Sequence, residues 1–242
     1  MAGYDTHLNH PGSRLAVTAV VYDCVEAMFG VTVHDFAVVG RLPDTFCLAL
    51  AREPPINPGP AVIGSGTVIG CHATIYAGAR IGKDCLIGDY AVVREGAVIG
   101  DRCVIGMHSI VSYDAVLGNE CRVQSHSHIT DGLIAGDGCF FGVGVATFSD
   151  RRIDLDNYAF HGSQGPKFGK GVMVGSGAVI MAGIVIGNKA VIGAGALVIK
   201  SVPDGAKVLG DPAQVFKAAM VGVPTQSSAY VKHGTGKWGT AP

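Results

Sequence analysis

The chain has 242 residues, 36 of them Gly, with 48% hydrophobic, 15% charged and 7% aromatic residues and a formal net charge of -1. A chain this aliphatic and this short of charge is not disordered. Its near-neutrality gives no electrostatic case for a nucleic acid or an anionic membrane as partner. The opening residues, MAGYDTHLNHPGSR, contain no apolar stretch of signal-peptide shape.

Residues 1–14 read as an N-terminal tail, and from Leu15 a period of six begins: Leu15, Val21, Ala27, Val33 and Val39. Residues 42–60 interrupt it with Pro43, Pro54, Pro55, Pro58 and Pro60 and are expected to form an external loop. The period then runs from Ile63 through Ile69, Ile75, Ile81, Ile87, Val93, Ile99, Ile105, Val111, Leu117 and Val123 to Ile129. Four residues after each of these the chain is nearly always small, as at Thr67, Ala73, Cys85, Ala91, Cys103, Ser109 and Cys121. The position that follows each large residue is usually Gly, but Tyr76, Arg94, Ser112, Thr130 and Phe148 break that rule at eighteen-residue intervals. Three hexads therefore make one turn, and the turns stack as a triangular prism of short parallel strands about 4.8 Å apart.

Residues 149–171 lack the period and are expected to form a second loop, after which Val174, Ile180, Ile186, Ile192 and Val198 restore it. Gly171 to Asn188 is free of charge for eighteen residues, yet its five Gly and its period fit further rungs rather than a membrane span. The prism is expected over residues 15–210. Asp211 and Pro212 have the N-cap and N1 chemistry of a short helix running towards Met220, and residues 211–242 complete a C-terminal helix and tail.

Cys85, Cys103, Cys121 and Cys139 fall eighteen residues apart in the small inward position, which is expected to make them a column of free, apolar thiols. Seven cysteines in all, an odd number, fit a reduced, cytoplasmic protein. Outward positions stack by the same rule. His72, Tyr90, His108 and His126 share one column, and Ala77, Glu95, Tyr113, Asp131 and Ser149 share another. Imidazole, phenol and carboxylate are then expected to form a patch on one edge. Attack on a thioester needs a neutral nucleophile and a place for its proton, and His is the side chain best poised for that near pH 7. His126 is the expected base with His108 second; Asp131 would orient the imidazole or hold an ammonium, and Arg94, Glu95 and Tyr113 are candidate substrate contacts.

The hexads resemble the left-handed parallel β-helix of the hexapeptide-repeat acyltransferases. The stretch VMVGSGAVIMAGIVIGNKAVIGAGALVIKSVPDGAKVLGDPAQV is similar to the C-terminal coils of nucleotide-linked amino-sugar N-acetyltransferases. The resemblance implies an all-β fold, a left-handed parallel β-helix of hexapeptide repeats, and a homotrimer with acetyl-CoA in the groove between neighbouring prisms and the acceptor, a nucleotide-linked amino sugar or similar small polar molecule, entering from the opposite end. His126 falls where one branch has a functional Asn, and Asp131 where another has its catalytic His. The resemblance also places Phe140, Ser149, Gly177, Ala178, Gly195 and Ala196 along the pantetheine groove, with Lys200 near the nucleotide end. Three readings compete with it: a carrier-protein donor in place of CoA, a zinc enzyme like the γ-type carbonic anhydrases using His72, His108 and His126, and a non-catalytic scaffold.

Overall fold

A computed structural model describes residues 12–43, 58–150, 164–210, 214–215, 230–233 and 237–240. Six residues carry the backbone along one flat face and around one corner, so each strand is only two to four residues long. Face I runs from Arg14–Leu15 through Leu86–Ile87 to Lys207–Leu209; face II from Val20–Val21 through Val92–Val93 to Leu197–Val198; face III from Val25–Ala27 through Val98–Ile99 to Val185–Ile186. The strands within these faces pair in parallel with partners eighteen residues apart, as Ile87 with Ile105, Val93 with Val111 and Ile99 with Leu117. The fold is a left-handed parallel β-helix of hexapeptide repeats. The apolar stretch from Gly171 to Asn188 is three of its rungs.

The large hexad residues fill the axis of the prism: Ile63, Ile69, Ile75, Ile87, Ile105 and Ile129 are fully buried. Each such burial contributes roughly 1.5–3 kcal/mol. The small inward residues do more than leave room. The thiols of Cys85, Cys103, Cys121 and Cys139 lie 3.1, 3.1, 3.3 and 3.1 Å from the carbonyl oxygens of Gly100, Gly118, Gly136 and Gly169. The hydroxyls of Thr67, Ser109 and Ser127 donate in the same way to Gly82, Gln124 and Gly142. Each satisfies a carbonyl in the turn of the next coil. The neighbouring thiol of Cys121 first, and burial with it, pushes the Cys103 thiol up to about 11, so it is un-ionised at pH 7.

The glycines that follow the large residues have a steric cause. A Cβ at Gly88 would stand 2.7 Å from the backbone nitrogen of Met107, and one at Gly100 the same distance from that of Asn119. The next coil runs too close for any side chain there.

Across the first loop the partners are thirty-six residues apart, as Ala27 with Ile63, so the insertion equals one whole turn and leaves the frame unchanged. Across the second they are thirty-three apart, as Ala135 with Phe168. That insertion slides the hexad frame by three. The expected loop 149–171 therefore ends early: Lys167–Phe168 is already a rung of face III, and Phe168 packs edge-on against Phe141 at 5.1 Å. The expected helix after Asp211 is also corrected. Gln214–Val215 pairs antiparallel with face I, Val215 opposite Val208, and so covers the open edge of its last rung. The remainder of that helix lies outside the described residues. Tyr230–His233 and Lys237–Thr240 pair as an antiparallel hairpin.

Truncation of an axial residue should be costly. Leu117→Ala is expected to lose about 2–5 kcal/mol in urea unfolding, whereas Val98→Ala on the outer surface of face III should lose less than about 1 kcal/mol.

Candidate active site

The two edges of the prism that flank face II hold the expected site columns. The first edge, from face I to face II, holds a ladder of rings. Phe36, His72, Tyr90, His108 and His126 stack at centroid distances of 4.9, 4.6, 4.8 and 5.0 Å with planes within 15° of parallel. The expected column of His72, Tyr90, His108 and His126 is present, and Phe36 extends it one coil down. All five residues have φ between 56° and 58°, the left-handed conformation of the second turn residue. That conformation costs roughly 1–2 kcal/mol for a residue with a Cβ, and each stacked pair returns about 0.5–1.5 kcal/mol. Above His126 the column continues as Gly144, Gly177 and Gly195, where a Cβ would meet nothing within 4 Å. The ridge of rings stops there, and the edge is cut back for three coils.

The second edge, from face II to face III, holds the other expected column. Tyr113, Asp131 and Ser149 follow one another up it. Ser149 Oγ donates to Asp131 Oδ2 at 3.1 Å, and Thr130 Oγ1 donates to Asp131 Oδ1 at 3.3 Å. His126 and His108 are not on this edge. His126 precedes the strand His128–Ile129 and Asp131 follows it, so the expected single patch is divided between two edges. A step of five residues crosses a whole face.

The imidazole that reaches towards this edge is His128, an outward residue of face II that the sequence did not single out. Its Nε2 lies 3.1 Å from Ser112 Oγ, and Ser112 is only 6% exposed. Partial burial lowers the pKa of His128 below its ordinary value, with Asp131 opposing that shift. Thr147 Oγ1 donates to the His128 carbonyl at 2.8 Å and accepts from the Thr130 amide at 2.9 Å, which fixes the backbone on both sides. A signal for this edge was present: Ser112 and Thr130 belong to the positions where glycine is missing.

Below this patch Arg94 grips Glu95 through two hydrogen bonds of 2.8 and 2.9 Å. Glu95 is 6% exposed, and the Arg94 guanidinium lies 4.6 Å from the ring centre of Tyr76 and 5.7 Å from that of Tyr113. Arg94 and Glu95 are thus engaged with each other rather than displayed to solvent.

The residues expected along the pantetheine groove do not line one groove of a single chain. Gly177 and Gly195 lie on the first edge, Phe140 faces outward on face I, and Ser149 joins Asp131 on the second edge, with exposed Lys200 just past the end of face II. The side chains of Ala178 and Ala196 are 0% exposed and point into the core, so neither can touch a ligand. His72, His108 and His126 lie ring over ring, and among the described residues no group of three or more His, Cys, Asp or Glu is arranged to hold a metal ion.

The bacterial transferase hexapeptide model, six repeats, matches residues 60–95, 78–113, 96–131 and 165–200. Similar solved structures include the UDP-N-acetylglucosamine acyltransferase from Campylobacter jejuni, with 16% identity and a TM-score of 0.67 over 85% of this chain and 75% of that one. LpxA from Acinetobacter baumannii is similar at 18% identity and a TM-score of 0.59, over 84% of this chain and 73% of that one. No curated protein matches in sequence. With its repeats and its three-faced prism, the chain is a hexapeptide-repeat protein with the fold of these two acyltransferase structures.

The partial desolvation of His128 has a consequence for stability. The fold favours the neutral imidazole, so the unfolded chain binds more protons once the pH falls below its unfolded value of about 6.5. Stability that is complete above that pH is then lost as the pH falls towards the lower folded value. His128→Gln should flatten this loss in melts recorded from pH 7.5 to 5.

Proposed function

We propose that the chain is an acyltransferase that moves an acyl group, acetyl in the simplest case, from coenzyme A to a small polar acceptor such as a nucleotide-linked amino sugar. The carrying observation is the recess above His126: three coils without side chains at Gly144, Gly177 and Gly195 offer a slender thioester arm close access to the backbone. On this edge His126 is the imidazole beside the arm, with His108 stacked beneath it. Phe140 and Lys200 would meet the donor from the flanking surfaces.

The acceptor side belongs to the second edge, where Tyr113, Asp131 and the Arg94–Glu95 pair stand. A full face separates the two edges within one chain, so the reading needs more than one chain. A closed three-fold ring with face II turned to its axis brings the first edge of each prism beside the second edge of the next, a heterologous contact that closes. The outward residues of face II support this. Val92, Ile110, Ala146, Val179 and Leu197 are apolar, with His128 the one polar side chain between Val92 and Leu197, and Ile110 is 40% exposed in the single chain. The free thiols among the described cysteines fit a reduced, cytoplasmic setting.

Coenzyme A should raise the melting temperature, by about 2.7 kcal/mol of stabilisation at a hundredfold excess over its dissociation constant. Light scattering should give three times the 24.8 kDa chain mass. Ile110→Asp should shift that mass towards one chain and abolish thiol release from acetyl-CoA. A melt that rises with zinc and not with coenzyme A would favour the anhydrase-like reading instead. No rise with either would favour a carrier-protein donor or a scaffold.

A further inference from the structure

We propose that the uncovered ring face of His126 is a stacking platform for a planar heteroaromatic base, so that His126 holds a ligand through its face rather than taking a proton from it. The platform rests on the acyl-transfer reading only for the choice of ligands, and it is tested by binding.

The ladder of the first edge is a run of flat side chains in which His72, Tyr90 and His108 each have a ring above and a ring below. His126 ends the run. Among the described residues only its lower face is covered, by His108 at 5.0 Å with the planes 5° apart. The next position of the column is Gly144, where a Cβ would meet nothing within 4 Å. A stack of rings thus stops at a bare aromatic face with an open corner over it.

Ring geometry decides what that face can do. Both nitrogens of an imidazole hold their proton or lone pair in the plane of the ring, so in a parallel stack they point to the side. A group seated above His126 meets the π-face and not a nitrogen. What the face offers upwards is what His108 already takes from below, parallel contact with another flat ring. A heteroaromatic base fits this demand, since it brings a π-face to the contact and keeps its hydrogen-bonding groups on its rim. Such contacts tolerate any base, and each strengthens binding by about 5–150-fold.

The surroundings agree with a ring in this place. Val143 and Ala146, on either side of Gly144 in the chain, are apolar, and the Val143 amide is held by Ser176 Oγ at 3.2 Å. Val143 is 49% exposed. The column itself accepts a larger ring than imidazole: Phe36 has the same φ of 58° as His126 and stacks on His72 at 4.9 Å.

Two molecules of the acyl-transfer reading carry such a base, coenzyme A and a nucleotide-linked acceptor. The test titrates the full chain with adenosine 3′,5′-bisphosphate and with uridine diphosphate, and with pantetheine and ribose 5-phosphate as probes that lack a base. Proton NMR of each nucleotide reports the contact, because protons over an aromatic face shift upfield. At least one nucleotide should bind with its base protons shifted upfield and at least about fivefold more tightly than ribose 5-phosphate; the tighter of the two names the source. His126→Asn keeps a residue that tolerates the left-handed turn but has no ring, and should weaken that binding by about 5–150-fold. His126→Phe keeps the face and loses the nitrogens, and should bind as the parent does. Gly144→Tyr places the protein's own ring on the platform and should remove nucleotide binding without lowering the melting temperature.

Equal losses in His126→Phe and His126→Asn, both with the parent's melting temperature, would overturn the platform in favour of the nitrogens. Unshifted base protons, or ribose 5-phosphate bound as tightly as the nucleotides, would overturn it as well. Thiol release from acetyl-CoA in the presence of a nucleotide-linked amino sugar is followed in parallel. Release without stacking would leave acyl transfer standing and remove the platform, whereas stacking without release would leave the platform and remove acyl transfer.

Discussion

Everything in this molecule follows from the hydrogen bonding of each coil to the one eighteen residues on. The amide of Val104 meets the carbonyl of Cys121, and that of Arg94 meets Val111, with the same offset repeated up all three faces. Because the backbone repeats in register, side chains at one hexad position must form a column. A column of Ile and Val at the axis is the core. A column at an edge presents whatever its residues carry at one coil's spacing, and both candidate halves of the active site are such columns.

The same constraint decides what each edge can be. Where the next coil passes close, only Gly fits, and the surface carries no chemistry. At the first edge the left-handed turn residue is free to be large, and stacking offsets its conformational cost from Phe36 to His126. Once Gly144 replaces the ring, the stacking ends and a recess begins. At the second edge the glycines are missing over consecutive coils, and Tyr76, Arg94, Ser112 and Thr130 fill their places: Arg94 lies over Tyr76, Ser112 meets His128 and Thr130 donates to Asp131. One edge is thus suited to an extended, featureless arm and the other to a polar ring, which is the division of labour an acyl transfer between two cosubstrates calls for.

Much of this was legible in the chain. The period of six identified the core residues and the prism, and the interval of eighteen put His72, Tyr90, His108 and His126 in one column. The same interval stacked Tyr113, Asp131 and Ser149, but stacking alone does not say which edge a column occupies, and His126 and Asp131 were joined when a face lies between them. His128 escaped because it sits within a strand and reaches Ser112 across two columns, a contact set by how its side chain leans rather than by spacing. Phe168 escaped because an insertion of fifteen residues moved the frame by half a hexad. The strand Gln214–Val215 escaped because the pull of an unpaired sheet edge is a tertiary effect, while Asp211 and Pro212 signal a helix start locally.

The central claim is that a working site joins the recess of one chain to the Asp131 edge of its neighbour. Mixed rings test it most directly. Gly177→Asn fills the recess with a residue that tolerates the left-handed turn, and Asp131→Asn removes the carboxylate of the acceptor edge; each variant alone should be inactive. Co-expressed and purified as mixed rings, they should regain activity at roughly one site in three, since a closed ring with both chain types has one junction where an intact recess meets an intact Asp131. Mixed rings as inactive as the two parents would contradict a site shared between chains.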